Sequence, residues 1–243
     1  SMSIDSSSGI LSFNSPPDYE TKTSYSAVIT ASDGTNSATQ SISVSILNLN
    51  DESPVFTSPT VFTIEESNNS DPRLVGTLAA TDADGDSLTY SMSGPGAGTF
   101  VRLNSTTGEL TTVGEVDYEQ QSSWSITATA SDGENTTEQQ VTISVLNIND
   151  NAPVITSGDT FSVNENVTLI GSVTATDADG SPILFALRDD IYDGSLLNID
   201  AESGVLIFKS EPDYETKNQY TAIVRVIDQD AGFETRQTIT ISV

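Results

Sequence analysis

The stretch that sets the organisation of this chain reads Asn147-Ile148-Asn149-Asp150-Asn151-Ala152-Pro153. An earlier copy, Asn48-Leu49-Asn50-Asp51-Glu52-Ser53-Pro54, lies 99 residues upstream. Each copy follows a run of alternating apolar residues, and an apolar pair comes directly after its proline. A polar connection that ends in proline is typical of a border between two domains. The duplicated connection therefore predicts that the chain is built from tandem domains.

These connections are rich in oxygen atoms that can bind a cation. Residues 147–151 combine side-chain amides, a carboxylate and loop carbonyls. Ca²⁺ binds about six to eight oxygen ligands in a flexible geometry, whereas Mg²⁺ needs a stricter octahedron and keeps its waters. We therefore interpret each connection as a calcium-binding hinge between neighbouring domains.

The chain of 243 residues is strongly acidic, because 35 Asp and Glu stand against only 8 Lys and Arg, for a net charge of −27. Such a charge argues against nucleic acid and anionic membrane surfaces as partners. It also makes the compact state repel itself unless cations neutralise it. Disorder is the alternative for an acidic chain rich in Ser and Thr, but the strict alternation of apolar residues in several runs argues against it.

The residue types exclude several further classes of protein. There is no Cys and no His, so disulfides, imidazole zinc ligands and the usual nucleophile–base pairs are not available. No apolar run approaches the ~18 residues that span a bilayer, and we expect no direct membrane insertion by this segment. Paired carboxylates could serve glycoside hydrolysis. Repetition accounts for every candidate acid, however, and we predict that the chain is not an enzyme.

Three copies of one pattern divide the chain. Asp-Tyr-Glu occurs at 18–20, 117–119 and 213–215. An aromatic residue follows each Asp by seven positions and a further Asp follows it by fifteen, at Tyr25, Trp124, Tyr220, Asp33, Asp132 and Asp228. Asp-Ala-Asp-Gly occurs only in the later copies, at 82–85 and 177–180. We therefore predict that residues 1–50 are the C-terminal half of a repeat, residues 51–149 a complete repeat, and residues 150–243 a repeat that lacks its exit linker.

Within the complete copy, apolar residues recur at every second position. Trp124, Ile126, Ala128 and Ala130 alternate with Ser and Thr, which is typical of a strand with one buried face. Turn residues separate about seven such strands, near 55–64, 73–80, 87–92, 100–103, 109–112, 123–131 and 137–147. This spacing predicts an all-β fold of tandem seven-stranded Greek-key β-sandwiches of the immunoglobulin-like type, stacked end to end.

The recurring acids allow two interpretations. An isolated Asp-Ala-Asp-Gly is more often a turn than a metal site, because Asp caps its own backbone and Gly supplies a positive φ. An EF-hand is excluded, since Gly85 is the fourth residue of the loop instead of the sixth, and Ser93 stands where the twelfth residue should be Glu. If the repeats stack end to end, acids from the end of one repeat meet acids from the start of the next. This combination favours a metal site.

A further motif, Phe62-Thr63-Ile64-Glu65-Glu66, is matched by Phe161-Ser162-Val163-Asn164-Glu165. Together these motifs, in this order and spacing, resemble tandem cadherin repeats, and the resemblance covers essentially the whole chain. It implies that about three Ca²⁺ ions, each bound by carboxylate and carbonyl oxygens, occupy a complete junction. At the second junction the implied ligands are Glu66, Asp117, Glu119, Ile148, Asn149, Asp150, Asn151, Asp177, Asp179, Gly180 and Asp228. At the first junction they are Asp18, Glu20, Leu49, Asn50, Asp51, Glu52, Asp82, Asp84, Gly85 and Asp132.

The chain departs from the family's pattern at two positions of the second junction, and at one of them Gly180 replaces the usual loop Asn. Asn147 stands where the family typically has Asp. This change removes one carboxylate from the outer ions, by which we mean the two that Glu66, Asp117, Glu119 and Asp150 would bind. The first junction has no counterpart of Glu66, so we expect one ion to bind normally there and the outer two to be weak or missing. Glu165, Asp213 and Glu215 form a half site in which we expect little tight binding, and Asp33 is expected to be idle.

Two functional classes remain open. The resemblance implies calcium-dependent cell adhesion through homophilic or heterophilic contact with another cadherin-like protein, at the extracellular side of the cell surface. The alternative is a structural spacer or polysaccharide-binding module of a large bacterial surface or secreted protein, which the acidic, Lys-poor composition favours weakly. Self-association in calcium would support the first class, and retention on an insoluble polysaccharide would support the second.

Overall fold

A computed structural model describes residues 1–243. The chain forms two compact units, one of residues 1–116 with 123–144 and the other of residues 117–122 with 145–243. Its regular structure consists of 22 strands and one 3₁₀ helix of three residues. The expected all-β fold of tandem sandwiches is therefore confirmed. No helix in the structure has the length and apolar character needed to cross a bilayer.

The first unit begins with two antiparallel hairpins. They are formed by β1 (Met2–Ile4), β2 (Leu11–Phe13), β3 (Ser24–Ser32) and β4 (Ser37–Ser45). Every second residue of β3, from Tyr25 to Ile29, is half-buried, as the alternation predicts. Apolar side chains such as Ile10 and Val28 nevertheless remain 65% exposed.

The complete repeat of the first unit follows, and its strands form three sheets. The strands are β5 (Val55–Phe56), β6 (Val61–Glu65), β7 (Leu74–Thr77), β8 (Ala80–Thr81), β9 (Thr89–Ser93), β10 (Val101–Leu103), β11 (Glu109–Thr112), β12 (Ser123–Ser131) and β13 (Thr136–Leu146). The sheets have the orders β6-β13-β12-β9, β10-β11-β7 and β5-β8. Their inward side chains form the core, in which Ile126, Val141, Ile143 and Leu110 are at most 1% exposed. Burial of each such side chain contributes about 1.5–3 kcal/mol.

Two of the predicted strands are wrong in their extent, because each is divided in two. The run 55–64 breaks at Pro59, which has no N–H to donate to a sheet, and β5 pairs with β8 while β6 lies beside β13. The run 73–80 breaks after Thr77, where the chain changes its pairing from β11 to β5. Each expected strand is thus divided between two sheets, and the fold class is unaffected.

The second unit contains the third copy of the pattern. Its elements are β14 (Val154–Ile155), β15 (Thr160–Ser162), β16 (Leu169–Ser172), β17 (Ala175–Thr176), β18 (Ile183–Leu187), the 3₁₀ helix Gly194–Leu196, β19 (Leu197–Ile199), β20 (Val205–Phe208), β21 (Gln219–Asp228) and β22 (Glu234–Ser242). The sheets have the orders β15-β22-β21-β18, β16-β20-β19 and β14-β17. β15 runs parallel to β22, and β22, β21 and β18 are antiparallel neighbours.

One glycine in each of the two later copies fixes the approach of two chain segments. Gly108 has φ +73°, and a Cβ added to it would lie 2.2 Å from the carbonyl oxygen of Leu78. Gly204 has φ +68°, and its Cβ would lie 2.2 Å from the carbonyl oxygen of Val173. Only glycine combines this left-handed backbone with so close a contact. The two copies therefore share a backbone conformation and a close contact in addition to their acidic motifs.

Candidate metal centres

In the second unit, three acids that are far apart in sequence come together. Glu119 lies in the turn before β12, Asp150 in the connection after β13, and Asp179 in the turn after β17. One carboxylate oxygen of each lies within 4.8 Å of the others. Like charges this close destabilise one another, so the group calls for a cation or for donors that offset the charge.

Asn151 supplies part of that offset. Its backbone N–H donates to Asp179 Oδ2 at 2.8 Å, and its side-chain Nδ2 donates to Asp150 Oδ1 at 2.9 Å and to Glu119 Oε2 at 3.2 Å. Asn147 Nδ2 donates to the carbonyl oxygen of Asp179 at 3.0 Å. The connection that the sequence singles out is therefore bound tightly to the Asp-Ala-Asp-Gly turn of the third copy.

Beside this group lie three side chains with unpaired buried oxygens. Asp177 Oδ2, Asn149 Oδ1 and Asp228 Oδ2 have no hydrogen-bond partner. Asp177 Oδ1 accepts from the N–H of Asp179 at 3.0 Å, and Asp228 Oδ1 accepts from the N–H of Asp230 at 2.8 Å. In each Asp the turn thus uses one oxygen and leaves the other unused.

The charge of Asp228 is maintained in spite of its burial. Asp228 is 0% exposed, and the resulting desolvation raises the pKa of its carboxyl. Hydrogen bonds from the N–H of Asp230 and from the Asn149 amide lower this pKa by more, so the net shift is downward. A buried carboxylate that stays ionised needs a positive partner. The unpaired Asp228 Oδ2 and Asn149 Oδ1 are oxygen ligands of the kind that a hard cation binds.

The first unit holds a corresponding group at the earlier connection. One oxygen each of Glu20, Asp51 and Asp84 lie within 4.8 Å of one another. Asp84 Oδ2 accepts from the N–H of Glu52 at 2.9 Å and of Asp51 at 3.2 Å. The N–H of Glu20 lowers the pKa of its own carboxyl, but desolvation and the adjacent Asp84 outweigh this effect, and the net shift of the Glu20 pKa is upward.

The Asp-Ala-Asp-Gly turn of the first unit contains a second group, in which Asp82 and Asp84 were predicted and Asp86 was missed. Asp82, Asp84 and Asp86 also place one oxygen each within 4.8 Å of one another. Asp82 Oδ2 and Asp84 Oδ1 are buried without a hydrogen-bond partner. The signal for Asp86 is the third acid at alternate spacing after Asp-Ala-Asp-Gly, which the later copy replaces with Ser181.

Asn135 is another contributor that was not predicted. Its Nδ2 donates to Asn50 Oδ1 at 2.9 Å and to the carbonyl oxygen of Glu52 at 3.2 Å, so it connects the β12–β13 turn to the first connection. It also supports Asp132, whose pKa is raised by desolvation but lowered more strongly by the N–H groups of Asn135 and Glu134.

Several predicted ligands lie outside these acid groups. The Asp18 and Asp117 carboxylates accept from the backbone N–H three residues later, at 3.0 Å from Thr21 and 2.9 Å from Gln120. Gly85 and Gly180 adopt positive φ in their turns, and nothing lies within 4 Å of a Cβ added to either. Leu49 offers a carbonyl oxygen that accepts from Asp51 at 2.9 Å.

Two further sets of acids complete the survey. Glu66 belongs to the first unit and is 4% exposed. Glu165, Asp213 and Glu215 form an exposed group in the second unit, with one oxygen each within 4.8 Å of one another. Asp33, which was expected to be idle, accepts from the N–H groups of Thr35 and Asn36 and closes its own turn.

The predicted aromatic positions belong to the core and not to a ligand platform. Tyr220 is 8% exposed and packs edge-on against Phe208, with ring centroids 4.8 Å apart. Trp124 stacks on Phe100 with centroids 4.7 Å apart. These contacts explain why an aromatic residue recurs at this position in each copy.

Comparison with known proteins identifies the family. The family model of the cadherin domain matches residues 60–146 and 159–243. Human protocadherin Fat 1 is 34% identical over 237 residues, which cover 93% of this chain and 5% of the relative. Human protocadherin-20 is 32% identical over 231 residues, which cover 90% of this chain and 24% of the relative.

Solved structures agree in fold. The crystal structure of mouse cadherin-23 EC22-24 matches 100% of this chain and 81% of its own, with a TM-score of 0.81 and 22% sequence identity. The chain spans at most a quarter of the length of the two protocadherins above. Family model, relatives and architecture lead to one conclusion: this chain belongs to the cadherin family and consists of tandem cadherin repeats.

Proposed function

We propose that this chain is a calcium-binding segment of a cell-surface adhesion protein, in which Ca²⁺ at the borders between repeats stiffens the array. In this proposal residues 1–50 are the C-terminal half of a repeat, residues 51–149 a complete repeat, and residues 150–243 a repeat without its exit linker. The observation that carries the proposal is the set of buried, unpaired oxygens at both borders, on Asp82, Asp84, Asn149, Asp177 and Asp228. An unpaired buried polar atom costs about 1–3 kcal/mol, and a bound cation removes that cost.

The side chains prepare the sites before any ion arrives. Backbone N–H groups hold one oxygen of Asp177, Asp84 or Asp228 in a fixed direction, which orients the other oxygen toward the site. Bound Ca²⁺ would supply the positive charge that these carboxylates lack. Without it the acids repel one another, and the border loosens. With it, residues from the turns and from the connection are held together as one rigid element.

The charges support the number of ions that membership of the cadherin family implies. Seven carboxylates are assigned to the second border, namely Glu66, Asp117, Glu119, Asp150, Asp177, Asp179 and Asp228. Three divalent ions come close to neutralising them, so we infer about three ions there. The first border has no counterpart of Glu66 and should bind fewer. Ligands through backbone carbonyls are Ile148, Asn151 and Gly180 at the second border, and Leu49, Glu52 and Gly85 at the first.

The relatives favour adhesion over the spacer or polysaccharide-binding alternative, because they are cadherins and protocadherins. We infer that the parent protein displays these repeats outside the cell and binds another cadherin-like protein. Every residue with a ligand role is accounted for by binding of Ca²⁺, and no reaction needs to be assigned to the chain.

Calorimetric titration with Ca²⁺, together with thermal melting in Ca²⁺ and in chelator, tests the calcium proposal. We expect several ions to bind and the melting temperature to rise. Asp150→Ala should remove the tighter class of sites and leave a weaker one, whereas the exposed Asp71→Asn should change neither. If no heat of binding appears and melting is the same in both solutions, the repeated acids are solvated surface and the proposal is wrong.

Adhesion is tested separately, with beads that carry the chain. Beads that aggregate in Ca²⁺ and disperse in chelator would support homophilic contact. Beads that stay dispersed in Ca²⁺ but are retained on insoluble polysaccharide would support the alternative.

A further inference from the structure

The outer face of the four-stranded sheet differs in chemistry between the second and the third copy. On β12, the residues that alternate with the core positions are all Ser or Thr: Ser123, Ser125, Thr127, Thr129 and Ser131. On β21 the corresponding positions are Gln219, Thr221, Ile223, Arg225 and Ile227. Both strands bury their other face in the same way. Burial of the core face therefore does not require the change on the outer face, and the change points to a function of the outer face itself.

The strands on either side of β21 continue the difference. Arg225 is paired with Ala186 on β18 and with Arg236 on β22. Its counterpart on β12 is paired with Ser91 and Glu138. Arginine and aliphatic side chains thus stand together where the earlier copy has hydroxyl groups and an acid. Arginine is enriched at protein interfaces, where its planar head and apolar stem both make contact.

This face also carries charges of both signs, in a chain with a net charge of −27. Arg225 donates to Glu234 at 2.6 Å, Arg236 donates to the other oxygen of Glu234, and Arg188 pairs with Asp190 at 2.6 Å. The side chains of Arg188, Arg225 and Arg236 remain 30%, 31% and 57% exposed. We call these five residues the arginine face.

An aromatic side chain stands at the edge of the arginine face. Tyr192 is 66% exposed and Ile191 is 37% exposed. Tyr192 has φ 55°, a left-handed conformation that costs a residue with a side chain about 1–2 kcal/mol. The loop is fixed on both sides, because the N–H groups of Arg188 and Asp193 donate to carbonyl oxygens of β21 at 2.9 Å and 2.8 Å. A fixed, exposed aromatic residue is typical of an interface anchor.

We propose that the arginine face, with Ile191 and Tyr192 at its edge, is the surface through which two copies of this chain associate around a two-fold axis. This inference rests on the proposed adhesive function and specifies its partner and its contact surface. Two strongly acidic copies repel one another over most of their surface. A face with both signs is self-complementary, because Glu234 of one copy can lie opposite Arg236 of the other.

Charge exchange tests the two-fold arrangement. Sedimentation equilibrium in Ca²⁺ would compare the wild type with Arg236→Glu and Glu234→Arg. Each substitution should weaken self-association by about tenfold or more, because like charges then face each other in two symmetric places. An equimolar mixture of the two variants should recover association, since opposite charges meet again. Glu138→Arg, at the corresponding position of the second repeat, is the matched control and should leave association unchanged.

A second variant avoids the risk that these charge changes disturb folding. Tyr192→Gly removes the aromatic side chain and relieves the left-handed strain, so it should fold at least as well as the wild type and yet associate more weakly. Ile10→Ser tests whether association arises instead from the exposed apolar residues of the first hairpins. The surface proposal is overturned if Arg236→Glu and Tyr192→Gly associate like the wild type, or if Ile10→Ser alone abolishes association.

The two proposals fail in different ways. A wild-type chain that binds Ca²⁺ but stays monomeric at every concentration overturns the two-copy surface and leaves the calcium proposal standing. A chain that associates through the arginine face equally in Ca²⁺ and in chelator supports the surface and contradicts calcium dependence.

Discussion

Asp177→Asn should change the stability of the protein in opposite directions with and without calcium. In the wild type, Oδ1 accepts from the N–H groups of Asp179 and Ser181 at 3.0 Å and 3.3 Å, while Oδ2 is buried without a partner. Asparagine keeps the acceptor that closes the turn and removes the negative charge. The substitution therefore separates the structural function of this side chain from its function as a cation ligand.

The magnitude follows from these contacts. In chelator the variant loses no hydrogen bond and relieves repulsion from neighbouring acids, so its free energy of unfolding should equal that of the wild type or exceed it by about 1 kcal/mol. In Ca²⁺ at about 100 times the dissociation constant, one bound ion stabilises the wild type by about 2.7 kcal/mol. The variant should lose most of that gain. The sign of the difference should thus reverse on addition of calcium.

Thermal melting in the two solutions measures this reversal. Asp200→Asn is the matched control, because Asp200 closes a similar turn by accepting from the N–H groups of Glu202 and Ser203 but lies outside the acid groups. The control should shift melting equally in Ca²⁺ and in chelator. If Asp177→Asn behaves like the control, with the same loss in both solutions, then Asp177 is a turn former only and the reasoning is refuted.

Three further predictions concern the scaffold. Gly204→Ala should lower the free energy of unfolding by more than about 2 kcal/mol, because its Cβ would lie 2.2 Å from the carbonyl oxygen of Val173. Gly9 has a similar φ but open space around it, so Gly9→Ala should lower the free energy of unfolding by only about 1 kcal/mol. Denaturant titration compares the two variants. Asn135→Ala should destabilise the first unit by about 1–2 kcal/mol, because its hydrogen bonds to Asn50 and Glu52 are lost. Amide hydrogen exchange of residues 48–54 should become faster. Unchanged exchange would show that this side chain does not hold the connection. Hydrogen bonds from Arg225 and Arg236 lower the pKa of Glu234 from 4.5 to about 2, so the stabilisation by its carboxylate is full above about pH 4.5 and is lost as the pH falls toward 2. The melting temperature of Glu234→Gln should therefore differ from that of the wild type at pH 6 and converge with it near pH 2. A difference that stays constant with pH would contradict this assignment.

The sequence predicted those parts of the fold that depend on alternation. The strand expected at 123–131 is β12, because a half-buried strand alternates polar and apolar residues and Ser123–Ser131 does so without interruption. The run 55–64 shows the limit. Its apolar pattern continues across Pro59, but the pairing partner changes there, and a pattern along one strand contains no information about which sheet each part joins.

The site was predictable to the extent that its residues repeat. Glu119, Asp150 and Asp179 were nominated because each has a counterpart in another copy, and the structure brings these three together. Asn135 was missed although Asn36 recurs at its position in the first copy, because its hydrogen bonds to the connection are contacts that no sequence pattern shows. Asp86 was missed because repetition was the criterion, and the third copy has Ser181 in its place. The difference between β12 and β21 was missed for the same reason, since a search for what is shared passes over what differs.

The pairing of β15 with β22 has a consequence for biosynthesis. Thr160 lies beside Thr240, so the first strand of this sheet is joined to a partner that is synthesised nearly a whole domain later. On the ribosome β15 must wait, unpaired, until the last strand has emerged, and such long-range closure is slow. Each repeat can therefore complete its sheet only when its own final strand is made. Repeats should fold one after another from the N-terminal end. When a border first forms, one of its two domains is therefore already folded and the other is still being synthesised.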